Sequence, residues 1–259
     1  MQKIKVVILA GGLGTRLSEE TISKPKPMVE VGGMPILWHI MKIYSAYGFN
    51  DFIICCGYKS HIIKDFFVNY HLLNSDIKIN IGNGDFNVLN KNTEPWSVTL
   101  IDTGENTMTG GRLKRIESHI EGDVFLATYG DGLSNINILD LLKFHNLHGK
   151  MGTLSAVFPP GRFGALNIDV NSTVKNFHEK PDGDGALING GFFVFNKEFL
   201  SRIDGDDAVL EEQPLASLVD EGELMAYRHN GFWRPMDTLR DKVYLEKIWK
   251  SGNSPWKVW

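Results

Sequence analysis

Three glycines and an arginine crowd into Gly11-Gly12-Leu13-Gly14-Thr15-Arg16, directly behind the apolar run at residues 4–9. Glycines there let the backbone turn sharply and aim N–H groups at an anion, and Arg16 adds a rigid fork of donors suited to phosphate oxygens. The plain alternative is a tight turn with a surface arginine. Two common glycine loops fit only in part. A Walker loop needs Lys and then Ser or Thr after its last glycine, where Thr15-Arg16 stands. A dinucleotide loop needs a small residue where Leu17 sits, and an acid at the end of the second strand, where Cys55 and Cys56 sit. Those mismatches count against a dinucleotide-dependent oxidoreductase.

Further along, Lys24-Pro25-Lys26-Pro27-Met28 sets a lysine between two prolines, which fix an extended path and aim Lys26 in a defined direction. Read alone it is a stiff surface loop or a phosphate clamp; beside the glycine loop it favours the clamp. Tyr129-Gly130-Asp131-Gly132 sets an acid between glycines, and Asp237 follows 106 residues later in Trp233-Arg234-Pro235-Met236-Asp237-Thr238. A lone acid at a strand end is often only a turn or cap residue. Two carboxylates with phosphate oxygens make a natural Mg²⁺ site, because Mg²⁺ takes hard oxygen ligands and keeps several waters. In His178-Glu179-Lys180-Pro181, Glu179 suits sugar hydroxyls and Lys180 suits a phosphate; an exposed pair at a strand end is the alternative. Ile188-Asn189-Gly190-Gly191 opens the next apolar segment. Histidines show no metal spacing beyond His145 and His148, which are expected to face solvent, and no nucleophile–His–acid arrangement is evident.

The elements that must position these groups follow from periodicity. Residues 4–9 read as a strand covered on both faces, 36–44 as a helix started by Pro35 and closed by Gly48, and 51–56 as a second strand. Strand, helix, strand implies a right-handed parallel crossover. Helices are expected at 59–70, 136–148, 209–220 and 241–250. Strands are expected at 98–102, 123–128, 152–158, 164–170, 173–178, 190–195 and 223–228. The fold class is α/β: a Rossmann-like mixed, mostly parallel sheet with helices on both faces. Ligands of such sheets bind at the carboxyl ends of the strands, where Gly11, Asp131 and Lys180 fall.

The 259 residues, 42% hydrophobic and 22% charged, suit a globular chain with a large core, and neither repeats nor long linkers divide it. The reading is one domain, 1–259, with parts at 1–132 and 133–240 and a C-terminal helix and tail at 241–259. With 27 basic and 31 acidic residues the net charge is −4, which argues against nucleic acid and anionic membranes as partners. Adjacent Cys55 and Cys56 point to opposite faces of a strand and cannot readily pair; together with the short apolar run near the start, this suggests a soluble, cytoplasmic protein. The tail Pro255-Trp256-Lys257-Val258-Trp259 carries two aromatics for packing on the body or on a neighbour.

The ordered set LAGGLGTRL, KPKPM, YGDG, HEKP, INGGFFVF and WRPMDT resembles the sugar-1-phosphate nucleotidylyltransferases over essentially the whole chain. The resemblance implies that a sugar 1-phosphate oxygen attacks the α-phosphorus of a nucleoside triphosphate, giving a nucleotide sugar and pyrophosphate. It implies CTP and glucose 1-phosphate as substrates, with UTP or dTTP as the alternative nucleotide, Mg²⁺ as cofactor, and a homo-oligomer. It also implies a product used in bacterial deoxysugar and O-antigen pathways. By motif, Arg16, Lys26, Asp131 and Lys180 are the catalytic set, and Asp131 and Asp237 hold the metal. Leu9, Ala10, Gly11, Gly12, Gly14, Thr15, Arg16, Lys26, Gly130 and Asp131 contact the nucleotide, joined by Thr103, Gly110 and Arg112 from a polar segment that otherwise reads as a mobile loop. Gly164, Glu179, Lys180, Asn189 and Gly190 form the sugar-phosphate pocket. A non-catalytic relative that only binds nucleotide sugar is the other reading, and it is expected to lack a metal ligand or a phosphate lysine; all of these are present.

Overall fold

The computed structural model describes residues 4–90, 93–161, 165–170, 172–178 and 186–259. The chain begins with strand β1 (Val6–Leu9), helix α1 (Ser18–Thr21), the short strands β2 (Glu30–Val31) and β3 (Met34–Pro35), helix α2 (Ile36–Ala46), strand β4 (Asp51–Cys56) and helix α3 (Ser60–Leu73). A hairpin of β5 (Asp76–Ile79) and β6 (Phe86–Asn90) precedes β7 (Ser97–Asp102), α4 (Thr109–Arg115) and β8 (Val124–Tyr129). Next come β9 (Gly132–Ser134), α5 (Ile138–His148), β10 (Gly152–Val157), β11 (Ala165–Ile168), β12 (Val174–His178) and β13 (Ile188–Asn196). The chain continues through α6 (Gln213–Asp220), β14 (Leu224–His229), β15 (Trp233–Pro235) and α7 (Leu239–Lys250).

Seven strands form the main sheet in the order β14-β10-β13-β8-β1-β4-β7. β1 pairs parallel with β4 and β8, β4 with β7, and β10 with β14; β13 runs antiparallel to both β8 and β10. The expected mixed, mostly parallel sheet is therefore present. β1, an interior strand between β8 and β4, is buried on both faces, which is why residues 6–9 are apolar without alternation. Val6 and Ile8 join α2, α3, α5 and α7 in one core, while Val7 and Leu9 join α4 and α6 in the other. Cys55 and Cys56 divide between these two cores and are both free thiols.

Local chemistry moves several boundaries. α5 starts at Ile138 because the Asn137 side chain accepts from the Asp140 N–H, and α7 starts at Leu239 because Thr238 and Asp241 form a capping box. α6 begins only at Gln213, with Pro214 in its first turn. The expectation for the two histidines fails: His145 faces the core, its ring hydrogen-bonded to Thr153 Oγ1 at 2.9 Å and to Asn196 Oδ1 at 3.1 Å, and half-buried His148 meets Thr153 Oγ1 through Nε2 at 2.7 Å. A polar residue on the helix's inner face is tolerated because both ring nitrogens find partners. The segment 103–112, for which a mobile loop is the alternative reading, runs into α4, which buries Leu113.

The tail packs on the body. Trp256 is fully buried against Phe232 and Trp249, and Trp259 meets Trp38 edge-on at 5.7 Å. No helix among the described residues is long and apolar enough to cross a membrane.

Candidate functional site

The carboxyl ends of β1 and β8 open into a cleft of about 500 Å³. Its floor is the glycine loop. Gly14 has φ +65°, a conformation that favours glycine, and a Cβ there would press on Thr21 and on Lys26. A Cβ at Gly11 would collide with the Arg112 guanidinium. Pro25 is extended and Lys26–Met28 form a single 3-10 turn, so the lysine between the prolines points inward with only 12% of its side chain exposed.

Two short strands join the distant acids. β9 pairs antiparallel with β15, matching Gly132 with Pro235 and Leu133 with Arg234. The Met236 N–H closes the ladder by donating to the Asp131 carbonyl at 2.9 Å. Asp131 and Asp237 consequently share one ammonium: Lys26 Nζ lies 2.5 Å from Asp131 Oδ2 and 2.7 Å from Asp237 Oδ1. Arg16 Nη1 meets the other oxygen of Asp237 at 3.0 Å. Burial works against the charge on Lys26, but the two carboxylates outweigh it and raise its pKa. Three donors sit on an ammonium, and among the described residues the third has no protein partner.

The side-chain atoms that a metal could take as ligands at this point are the carboxylate oxygens of Asp131 and Asp237. The described residues contain no group of three or more His, Cys, Asp and Glu side chains able to hold a metal. Two carboxylates completed by substrate phosphates and water are the usual Mg²⁺ set, whereas Zn²⁺ sites favour His and Cys. The residues present therefore fit a hard divalent cation.

The cleft wall gathers most of the residues expected to contact an anion: Leu9, Ala10, Gly11, Gly12, Gly14, Thr15, Arg16, Lys26, Gly130 and Asp131, with Asp237 beside them. Arg112 reaches the wall, yet its donors are occupied by the carbonyls of Gly11, Cys56, Gly104 and Glu105 and by Thr103 Oγ1, at 2.7 to 3.2 Å. Thr103 is fully buried and donates to the Cys56 carbonyl at 2.7 Å. Gly110 packs against the backbone of Ala208. Thr103 and Gly110 therefore lie outside the lining, supporting α4 and the glycine loop from behind.

Asn189 Nδ2 donates to the Tyr129 hydroxyl at 3.3 Å, and the Gly190 carbonyl accepts from Trp233 Nε1 at 2.7 Å. A second cavity of about 390 Å³ adjoins there and shares Trp233, Pro235 and Asp237 with the cleft. Gly164, Glu179 and Lys180 lie outside the described residues.

Sequence reasoning missed part of the wall. Tyr129, whose hydroxyl burial and the nearby Glu211 push well above the usual range, donates to Glu211 Oε1. Glu211 comes from the turn before α6, and Thr109 Oγ1 donates to its other oxygen at 2.8 Å. Tyr129 stood next to the acid motif and was open to inspection; no pattern around Glu211 marked it.

The sequence model described as "Nucleotidyl transferase" matches residues 5–235. The glucose-1-phosphate cytidylyltransferase of Salmonella typhi is 59% identical over 257 residues, covering 99% of this chain and 100% of that one. The enzyme of the same name from Salmonella typhimurium is also 59% identical, with the same coverage. Among solved structures, HddC from Yersinia pseudotuberculosis superposes with a TM-score of 0.70 at 24% identity, covering 96% of this chain and 100% of that one, a likeness of fold.

Proposed function

The chain belongs to the nucleotidyl transferase family, and from that membership we propose that it transfers a cytidylyl group from CTP to α-D-glucose 1-phosphate, giving CDP-glucose and pyrophosphate. It is an enzyme of the nucleotidyltransferase class. The identity of 59% over 99% of the chain to enzymes named for this reaction carries the substrate pair. The Lys26–Asp131–Asp237–Arg16 cluster at the mouth of the glycine loop carries the chemistry.

In the reaction an oxygen of the sugar phosphate bonds to the α-phosphorus of CTP as the bond from that phosphorus to the β-phosphate bridging oxygen breaks, and the electron pair leaves on pyrophosphate. The nucleophile is already ionised, so no general base is required, and the protein's task is to hold two mutually repelling anions in line and offset the charge on the leaving group. The glycine-loop amides and Arg16 receive the β- and γ-phosphates. Lys26 offers its remaining donor to an oxygen near the α-phosphorus. Lys180 takes the sugar phosphate, and Glu179, Gly164, Asn189 and Gly190 surround the hexose.

Members of this family generally use a divalent metal; here we take it to be Mg²⁺, held by Asp131 and Asp237. When bound, it supplies Lewis-acid neutralisation of phosphate charge. Lys26 itself balances part of the charge of the two carboxylates. The nucleotide part, 1–132, ends just beyond the glycine loop's neighbour β8, and the sugar part, 133–240, carries β13 with Asn189. Formation of CDP-glucose from the two substrates, identified by mass and dependent on both, tests the assignment; its absence defeats it.

We further propose a homo-oligomer, with the β5–β6 hairpin as the contact between copies. Ile77 pairs with Val88 and Ile79 with Phe86, which puts four apolar side chains on one face of a two-stranded ribbon. Ile77 is 40%, Ile79 51% and Phe86 55% exposed, and none joins either core. Isolated two-stranded ribbons are marginal in water. With Leu73, Ile81 and Leu89, at ~200 Å² for a large side chain, the exposed apolar surface is roughly 700 Å², close to one partner's share of a standard interface. Asp76, Lys78 and Asp85 mix both signs, so a second copy meets the hairpin without a block of like charge.

A further inference from the structure

The acids of the cleft are of two kinds. Asp131 and Asp237 face cations. Glu211 makes no ion pair among the described residues, and its partners are both hydroxyls, from Tyr129 and Thr109. A carboxylate has about four acceptor positions, so this one keeps unused lone pairs, and the side chain is exposed on the cleft wall. A bare carboxylate in a space for polyphosphate is repelled by its ligand unless it faces neutral donors.

Position along the sheet edge narrows those donors. The glycine loop leaves β1; on one side lie β4 and β7, whose ends lead to Gly57, Thr103 and the Arg112 cage. On the other side, β8 ends in Tyr129, and its neighbour β13 carries Asn189, hydrogen-bonded to the same hydroxyl. Glu211 is held from both sides, by Tyr129 at the end of β8 and by Thr109 at the start of α4, so its carboxylate stands across the cleft wall between the Arg112 segment and Asn189. In the cytidylyl-transfer reading, on which this inference rests, the groups that span this interval are rings bearing hydroxyls: the ribose of the nucleotide and the hexose of the sugar phosphate.

We propose that Glu211 is a substrate-binding residue whose carboxylate accepts a hydrogen bond from a ring hydroxyl of a substrate sugar, with Tyr129 and Thr109 fixing its direction. Acceptance by a charged group discriminates strongly against a substrate that lacks the hydroxyl. Tyr129 is then a positioning residue: it aims the carboxylate without touching the sugar.

The test compares kcat/KM for CTP with its 2′- and 3′-deoxy forms, and for glucose 1-phosphate with its monodeoxy analogues, in the wild type, Glu211→Gln and Tyr129→Phe. In the wild type one analogue loses about tenfold or more. In Glu211→Gln that one discrimination shrinks to about threefold or less while the others stand, and Tyr129→Phe falls between. A nucleotide analogue identifies the ribose as the ligand, and a sugar-phosphate analogue identifies the hexose. Equal losses on all substrates, or unchanged discrimination, in a Glu211→Gln protein that melts like the wild type overturn the proposal alone. No turnover by the wild type on CTP and glucose 1-phosphate overturns the parent reading and this inference with it.

Discussion

Asp131 and Asp237, 106 residues apart in the chain, grip the same ammonium, with Lys26 Nζ 2.5 Å from one and 2.7 Å from the other. The pairing of β9 with β15 makes this possible, and it places a mutually repelling pair where a cation is needed at all times.

Removal of the ammonium therefore exposes the need for metal. In Lys26→Met the two carboxylates lose the ammonium they share while Asp237 keeps Arg16, and Mg²⁺ binding to the folded state has more repulsion to relieve. Its melting temperature is expected to rise by about 3 °C or more on adding millimolar Mg²⁺, against a smaller change in the wild type. Equal responses in a thermal melt would take the metal away from this pair.

Asp131→Ala removes one side of the proposed metal site and half the partners of Lys26. Turnover is expected to fall by about 10² to 10³, the size usual for losing one electrostatic stabiliser. Steady-state rates across a Mg²⁺ titration check this, and normal turnover at saturating Mg²⁺ would remove Asp131 from the chemistry.

Much of this site was legible in the sequence, and for a physical reason. Phosphate loops need glycines where the backbone turns, and a proline-framed lysine and a glycine-flanked acid beside such a loop narrow the plain alternatives, so Gly11, Arg16, Lys26, Asp131 and Asp237 stood out by type and position. Arg112 was legible as a residue of the segment but not in its setting: only the fold shows five acceptors converging on its guanidinium. His145 was misplaced because its helix carries apolar residues broadly enough that periodicity did not decide its face. The β5–β6 hairpin escaped notice since Asn, Asp and Gly surround its short apolar pairs. Glu211 gave no signal at all, because its partners Tyr129 and Thr109 are distant in sequence.

Arg112→Lys keeps a charge but cannot reach as many carbonyls. Those of Gly11 and Cys56 then lose a buried donor, and the floor of the cleft loosens. The expected result is a KM for CTP raised about tenfold or more with a smaller change in the KM for glucose 1-phosphate. Initial-rate kinetics with each substrate varied would contradict this by showing both constants unmoved.

His39 gives the fold an acid-sensitive point. Its Nε2–H donates to the Val31 carbonyl at 2.8 Å and Nδ1 accepts from Trp256 Nε1 at 3.4 Å, and burial pushes its pKa down to about 4. The unfolded chain binds this proton near pH 6.5 and the folded chain only near pH 4, so the unfolded state carries more protons in between. The stability involved is complete above pH 6.5 and is lost on the way down to pH 4, about 3 kcal/mol in all. Denaturant unfolding at several pH values should show a shallower acid slope in His39→Gln than in the wild type; identical slopes would refute it.

The hairpin prediction is read by mass. Ile79→Asp together with Phe86→Asp puts like charges on the apolar face of the ribbon, leaving both cores untouched. Light scattering should show the wild type as an oligomer and the double variant as a smaller species with an unchanged melting transition at high dilution. A variant with the wild-type mass would move the contact elsewhere.

The most direct test of the whole account is the rate of pyrophosphate release by the purified protein with Mg²⁺, glucose 1-phosphate and CTP, UTP, dTTP, ATP or GTP in turn. Rapid release with CTP that stops when either the sugar phosphate or the metal is left out is the predicted result. Release that favours another nucleotide would contradict the cytidylyl assignment, and no release with any of the five would contradict the account itself.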